Sequence, residues 1–134
     1  MKKITILIVE DQGYMRRTLR EFLQSVYPGI NILEAEDGRG ALALCRERRP
    51  ALVLMDIALP DTNGIELTEQ IKAMLPDSHV IIVSSHTDSA YIERAQAAGA
   101  LAYIFKDKVY SELLPAMSAA LGRTKTEREQ GQPQ

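Results

Sequence analysis

Asp56 follows four consecutive apolar residues, Leu52 to Met55, and precedes a turn-forming cluster that runs from Pro60 to Gly64. An apolar run that stops at turn formers predicts a buried strand with the aspartate at its carboxyl end. Ligands of open α/β sheets bind at that edge, so a carboxylate there is placed for chemistry, although capping the turn is the plainer role for the same residue. A second acidic strand end tips the balance. Ile4 to Val9 is continuously apolar and runs into Glu10 and Asp11. Two more apolar runs end in groups useful at the same edge: Ser84 after the run from His79, and Lys106 after Ala102 to Phe105.

Three carboxylates crowded at one edge repel by roughly 4 kcal/mol per pair at an effective dielectric near 20. A hard divalent cation relieves this, and oxygen-only donors without His or Cys select Mg²⁺, with Mn²⁺ as the substitute. Lys106 brings a compact charge with three donors, suited to a phosphate oxygen, and Ser84 brings a hydroxyl. Such a set suits phosphoryl transfer, in which positioning and charge neutralisation do most of the catalysis, and in which an aspartate can itself be the nucleophile.

The elements that must position these groups alternate along the chain. Ile4–Val9 has the isoleucine- and valine-rich composition of a strand buried on both faces. Met15, Leu19, Phe22, Leu23 and Val26 form one helical stripe, with Arg16, Arg17, Arg20 and Glu21 on the other faces, and Tyr27-Pro28-Gly29 ends it. A second strand, 30–35, leads into a helix that turns Ala41, Leu42 and Cys45 inward; Cys45 reads as a small core residue. After the Asp56 strand, Thr62 or Asn63 caps a helix with Leu67, Ile71, Met74 and Leu75 inward. The strand 79–84 precedes an alanine-rich, weakly amphipathic helix over about 89–98, with Gly99 as its C-cap. After the fifth strand, Ser111 caps a last helix with Leu113, Leu114, Met117 and Leu121 inward, and Pro115 is tolerated there because it lies near the first turn. Five strands alternating with five helices predict a doubly wound α/β domain with a parallel sheet. Gly38-Arg39-Gly40 lacks the third glycine and the first-strand position of a dinucleotide loop.

Composition narrows the function classes. The 134 residues suit one domain with a full core. A net charge of −2 with interspersed signs gives no field for nucleic acid, so no direct nucleic-acid contact is expected from this segment. One cysteine and two histidines, His79 and His86, leave neither a disulfide nor a zinc cage, and a reducing compartment fits. The amino-terminal apolar run is too short for a signal peptide and meets acids, no stretch approaches a membrane span, and the chain reads as soluble and cytoplasmic. Residues 123–134 lack apolar side chains and are expected to form a disordered tail or linker beyond a domain of residues 1–122.

Glu10-Asp11, Asp56 with Leu59-Pro60-Asp61 and Gly64, Ser84, Tyr103 and Lys106, taken together, resemble the receiver domain of two-component response regulators, over about Lys3 to Leu121. The resemblance implies a flavodoxin-like sheet of order 2-1-3-4-5. It implies that Asp56 is the phosphoacceptor of a sensor histidine kinase or phosphotransfer protein. Asp11, Asp56 and the Ala58 backbone carbonyl would ligate Mg²⁺, assisted by Glu10, while Lys106 and Ser84 receive the phosphoryl oxygens. Ser84 and Tyr103 would then switch the face formed by the fourth helix, fifth strand and fifth helix, for dimerisation or for an output domain. Such a protein is a relay that promotes its own phosphorylation and dephosphorylation rather than an enzyme acting on a separate substrate.

Three departures involve four positions. Ser84 stands where threonine is commoner, Asp107 stands where many members have proline, and Ala58 and His86 flank the phosphoryl site at positions that tune its lifetime. The Lys106-Asp107 pair resembles the subgroup with a helix-turn-helix output, which regulates transcription and which this chain does not contain. The rival reading is a Mg²⁺-dependent aspartyl-phosphate phosphohydrolase. Enzymes of that type usually carry a second aspartate two residues after the nucleophile, where this chain has Ala58.

Overall fold

Alternate residues along β1 (Thr5–Val9) and β3 (Leu52–Met55) serve two separate cores. In the computed structural model, which describes the backbone of residues 4–130 and side chains through Gly122, both strands are almost fully buried. They lie inside a five-stranded parallel sheet with β2 (Asn31–Ala35), β4 (His79–Ser84) and β5 (Ala102–Phe105), in the order β2-β1-β3-β4-β5. The register places Leu7 beside Val53 and Val53 beside Val80, so that one face is a continuous apolar surface. Ile8, Leu54 and Ile81 form the corresponding row on the other face.

Helices cover both faces. α2 (Gly38–Arg48), α3 (Gly64–Met74) and α4 (Ser89–Ala98) supply Ala41, Cys45, Leu67, Ile71, Ala95 and Ala98 to the core with Leu7, Val53 and Val80. α1 (Gly13–Val26) and α5 (Val109–Gln130) supply Leu19, Leu23, Leu113 and Met117 to the core with Ile8, Leu54 and Ile81. The predicted doubly wound architecture is therefore present. Burial pushes the Cys45 thiol up to about 11, as befits a core residue.

Several helix ends match the sequence chemistry. Asn63 caps α3, its side chain accepting the Glu66 N–H at 2.9 Å. Gly99 ends α4 at φ +106°, a conformation costly to a residue with a Cβ. The last helix differs from expectation at both ends. A 3₁₀ turn, Lys106–Lys108, carries the chain directly from β5 into α5 at Val109, and Ser111 sits inside the first turn with its hydroxyl donating to the Lys108 carbonyl. Pro115 is accordingly deeper in the helix than the first turn; it lies on the exposed side with Ser111, where water can take the carbonyl that proline leaves without a donor. α5 also runs past Gly122 to Gln130, so residues 123–130, expected to be disordered, have a helical backbone; Lys, Arg, Glu and Gln are good helix formers and can extend a helix already nucleated. Residues 131–134 lie outside the described part.

One loop is tied to a helix other than its own. The Asp61 carboxylate, between β3 and α3, accepts the Gly38 N–H at 2.8 Å and the Arg39 N–H at 3.0 Å, while Asp37 accepts the Gly40 N–H at 2.8 Å. Three donors that α2 leaves without helical partners are thus satisfied. The bond from Gly38, with smaller help from Arg39, holds the Asp61 carboxyl below its ordinary range. A lowered folded-state value means stability that is complete above the unfolded value and lost as pH falls through the folded one. Asp61→Ala is expected to lower the urea midpoint at pH 7, and the gap from the wild type is expected to narrow markedly at pH 3; a gap of constant width would show that the charge is not involved.

Candidate functional site

Strand order brings the ends of β1, β3 and β5 to one edge. Asp56 and Glu10 are buried there, and Asp11, next in the chain, is exposed. The Asp56 N–H completes the ladder to Val9, and its Oδ1 accepts the Ile57 N–H at 2.8 Å, which fixes the carboxylate plane. Lys106 reaches across: its Nζ lies 2.8 Å from Glu10 Oε1 and 3.3 Å from Asp56 Oδ2. Glu10 Oε2 accepts the Gln12 N–H at 3.1 Å. Glu10, Asp11 and Asp56 each offer a carboxylate oxygen within 4.8 Å of the others. That donor set, all oxygen and open to water on the Asp11 side, fits a hard divalent cation.

The charges perturb one another. Burial pushes the Glu10 carboxyl up to about 7, the Asp56 charge adds to the rise, and the bonds from Lys106 and Gln12 only partly offset it. Burial of Lys106 favours its neutral form, but the Glu10 bond and the Asp56 charge outweigh this and its pKa is raised. The ammonium stays charged because two carboxylates face it.

Ser84, fully buried at the end of β4, accepts the His86 N–H at 3.1 Å through its hydroxyl. Tyr103 is half-buried on β5, against the core shared with α2, α3 and α4, and its hydroxyl donates to the His86 carbonyl at 2.8 Å. Burial raises the Tyr103 phenol, against a Ser84 hydrogen bond that lowers it. The His86 ring in turn lies 5.0 Å from that of Tyr91 on α4. Ser84 and Tyr103 thus both grip the loop that leads into α4. Ala58, in the loop after Asp56, is exposed and forms an isolated bridge with Asn63. A cavity of about 600 Å³ opens beside it, with Ala58, Glu66, His86, Tyr91 and Arg94 among its walls.

The chain from residue 6 to 118 matches the model of the response regulator receiver domain. It belongs to that family. The receiver domain is 35% identical over 121 residues to the transcriptional regulatory protein PdtaR of Mycobacterium tuberculosis, covering 88% of this chain and 57% of PdtaR. It is 35% identical over 116 residues to the chemotaxis protein CheY of Halobacterium salinarum, covering 87% of this chain and 95% of CheY. A two-component response regulator of the LuxR family from Aurantimonas sp. SI85-9A1 superposes with a TM-score of 0.83 at 33% identity, over 90% of this chain and 86% of that one. The chain spans about half the length of curated regulators that it matches, such as PdtaR. Receiver domains are signalling switches rather than enzymes acting on a separate substrate. Among the described residues, no helix is long and apolar enough to cross a membrane.

Glu10, Asp56 and Lys106, each predicted from a strand end, converge within bonding reach, Asp11 offers an oxygen within 4.8 Å of those of the two other acids, and Ser84 and Tyr103 meet at the His86 loop. Asp61 and Gly64 were named in the sequence as parts of the family motif without a stated role, and Arg16 was not singled out at all. Asp61 was legible as a turn former within that motif, but its bonds to the Gly38 and Arg39 N–H groups of α2 were not. Gly64 was legible as the end of a turn, yet a Cβ there would collide with the Asp56 carbonyl oxygen and its carbon, so the position requires the absence of a side chain. Arg16, placed on the outward face of α1, is in fact largely buried.

Because folded Glu10 holds its proton up to about 7 instead of its ordinary 4.5, the folded receiver binds more protons than the unfolded chain between those values. Stability then falls as pH rises through that window. In chelator, Glu10→Gln is expected to gain in stability on the wild type as pH rises from 4.5 to 7. Guanidinium titrations across this range check it, and parallel curves for the two proteins would acquit Glu10.

Proposed function

We propose that Asp56 accepts a phosphoryl group from the phosphohistidine of a sensor kinase or phosphotransfer protein, and that the acyl phosphate resets the face formed by α4, β5 and α5. The observation that carries this reading is the buried Asp56 carboxylate, held in plane by the Ile57 N–H and flanked by Lys106 and the Glu10-Asp11 pair. In the transfer an Asp56 oxygen attacks phosphorus, the phosphorus–nitrogen bond breaks, and the donor imidazole leaves with the electron pair. Lys106 and the Ser84 hydroxyl donate to the phosphoryl oxygens. Glu10, Asp11, Asp56 and the Ala58 carbonyl would hold Mg²⁺, which supplies charge neutralisation between phosphoryl oxygens and carboxylates when bound. Loss of the phosphoryl group to water is promoted by the same residues. Ala58 has no proton to give, which disfavours the phosphohydrolase reading.

Ser84, drawn to the new phosphoryl oxygens, would alter its bond to the His86 N–H, and Tyr103 would follow through the His86 carbonyl. α4 meets its surroundings with a weak apolar stripe, so few buried contacts resist its shift. The domain is taken as residues 1–122, with 123–134 as a linker or tail of a cytoplasmic switch. Its output, in a partner or a further domain, is control of transcription, in keeping with the names of its relatives, and dimerisation through the reset face is one means of delivering it.

Mass spectrometry after treatment with a small acyl-phosphate donor is expected to show a single phosphoryl increment, lost in Asp56→Asn and strongly slowed by chelator. An increment surviving in Asp56→Asn moves the acceptor elsewhere, and a rate indifferent to chelator removes the metal. Amide exchange on α4 and β5 is expected to change on phosphorylation in the wild type and much less in Ser84→Ala; equal changes in both would break the proposed route.

A further inference from the structure

Arg16 lies on α1, in the helix that follows the acidic pair, with a side chain only 17% exposed. Its Nη1 donates to the Glu10 carbonyl at 2.8 Å, its Nε sits 3.3 Å from Glu34 Oε1, and its Nη2 sits 3.5 Å from Glu36 Oε1. The Glu10 N–H is already in the ladder, bonded to Ala35 at 3.0 Å. β2 ends at Ala35, so no further strand N–H follows to meet the Glu10 carbonyl, and the guanidinium occupies the place of the next ladder donor. From the opposite side Glu34 and Glu36 hold that guanidinium in position. Glu34 is shared with Arg20, at 2.9 Å, but no contact joins Arg20 to Glu10.

We infer that Arg16 is a positioning residue: it anchors the backbone at which β1 hands over to α1, and thereby fixes the directions of the Glu10 and Asp11 carboxylates. This rests on the reading of those carboxylates as the Mg²⁺ site. The planar five-donor fork suits this position, because its donors are spread apart and reach the Glu10 carbonyl at the end of β1 together with Glu34 of β2 and Glu36 just beyond it, whereas an ammonium presents its three donors from one point. Arg16 also brings a positive charge behind the site without entering it, so it does not compete with the cation as Lys106 does.

Arg20→Ala is the matched control, since it removes a bond to the same Glu34 and leaves the Glu10 carbonyl untouched. Mg²⁺ titration of the full chain, followed by amide chemical shifts, is expected to give Arg16→Ala a dissociation constant raised about tenfold, the low end for residues that orient metal ligands. Arg20→Ala is expected to bind as the wild type does. Without metal, exchange of the Gln12 amide, which is bonded to Glu10, is expected to quicken in Arg16→Ala and not in Arg20→Ala. Arg16→Lys keeps the charge and is expected to behave as Arg16→Ala; it carries the comparison if the alanine variant does not fold. Wild-type affinity and Gln12 exchange in the Arg16 variants, or equal losses in Arg20→Ala, would overturn the inference. Absence of Mg²⁺ binding in the wild type would instead overturn the metal assignment, and the Gln12 exchange rates would still decide the role of Arg16.

Discussion

The bridge from the Lys106 ammonium to the Glu10 and Asp56 carboxylates is the constraint around which this receiver domain is arranged. Two buried acids facing one another are costly, and removing their shared cation would leave uncompensated charge in a poorly solvated place. The parallel order β2-β1-β3-β4-β5 makes the bridge geometrically available, because it sets the carboxyl ends of β1 and β3 side by side and leaves β5 one strand beyond β4. A long side chain with a charge at its tip can cross that gap. A shorter cation at 106 could not serve both acids, and the chemistry of the site would then be bound to a less stable fold.

Much of this was legible in the sequence because it depends on strand ends. An apolar run stopped by an acid, a hydroxyl or a lysine marks both the strand and the group presented at its edge, so Glu10, Asp11, Asp56, Ser84 and Lys106 could be found one at a time and then assembled by topology. What could not be read involves backbone groups as partners. Arg16 looks like any outward arginine on an amphipathic helix, since nothing in its spacing reports that a carbonyl six residues earlier lacks a donor. Asp61 capping α2 joins residues more than twenty positions apart. The start of α5 was misplaced for a related reason: Ser111 has the composition of a cap, but the 3₁₀ turn at Lys106–Lys108 had already begun the helical path.

The hydroxyl side of the site is built differently from the acidic side. Glu10 and Asp56 are joined through the Lys106 ammonium, whereas Ser84 and Tyr103 together hold the two polar backbone groups of a single residue, His86. A loop held by its N–H from one strand and by its carbonyl from the next is sensitive to either strand end. The ring contact between His86 and Tyr91 extends that grip to α4, so the charged half of the site is suited to hold a ligand and the hydroxyl half to report on it.

The strand order also bears on how the chain assembles. β1, β2 and β3 are neighbours in the sheet and complete by Met55, so the first half of the chain can form a three-stranded sheet with α1 and α2 before the second half has been synthesised. At that stage Glu10 and Asp56 already share an edge, but their ammonium partner lies fifty residues further along the chain. The nascent sheet therefore carries an acidic edge that lacks its own cationic side chain until the last strand arrives. Docking of β5 closes the charge as well as the core, and this favours its addition at the correct end of the sheet.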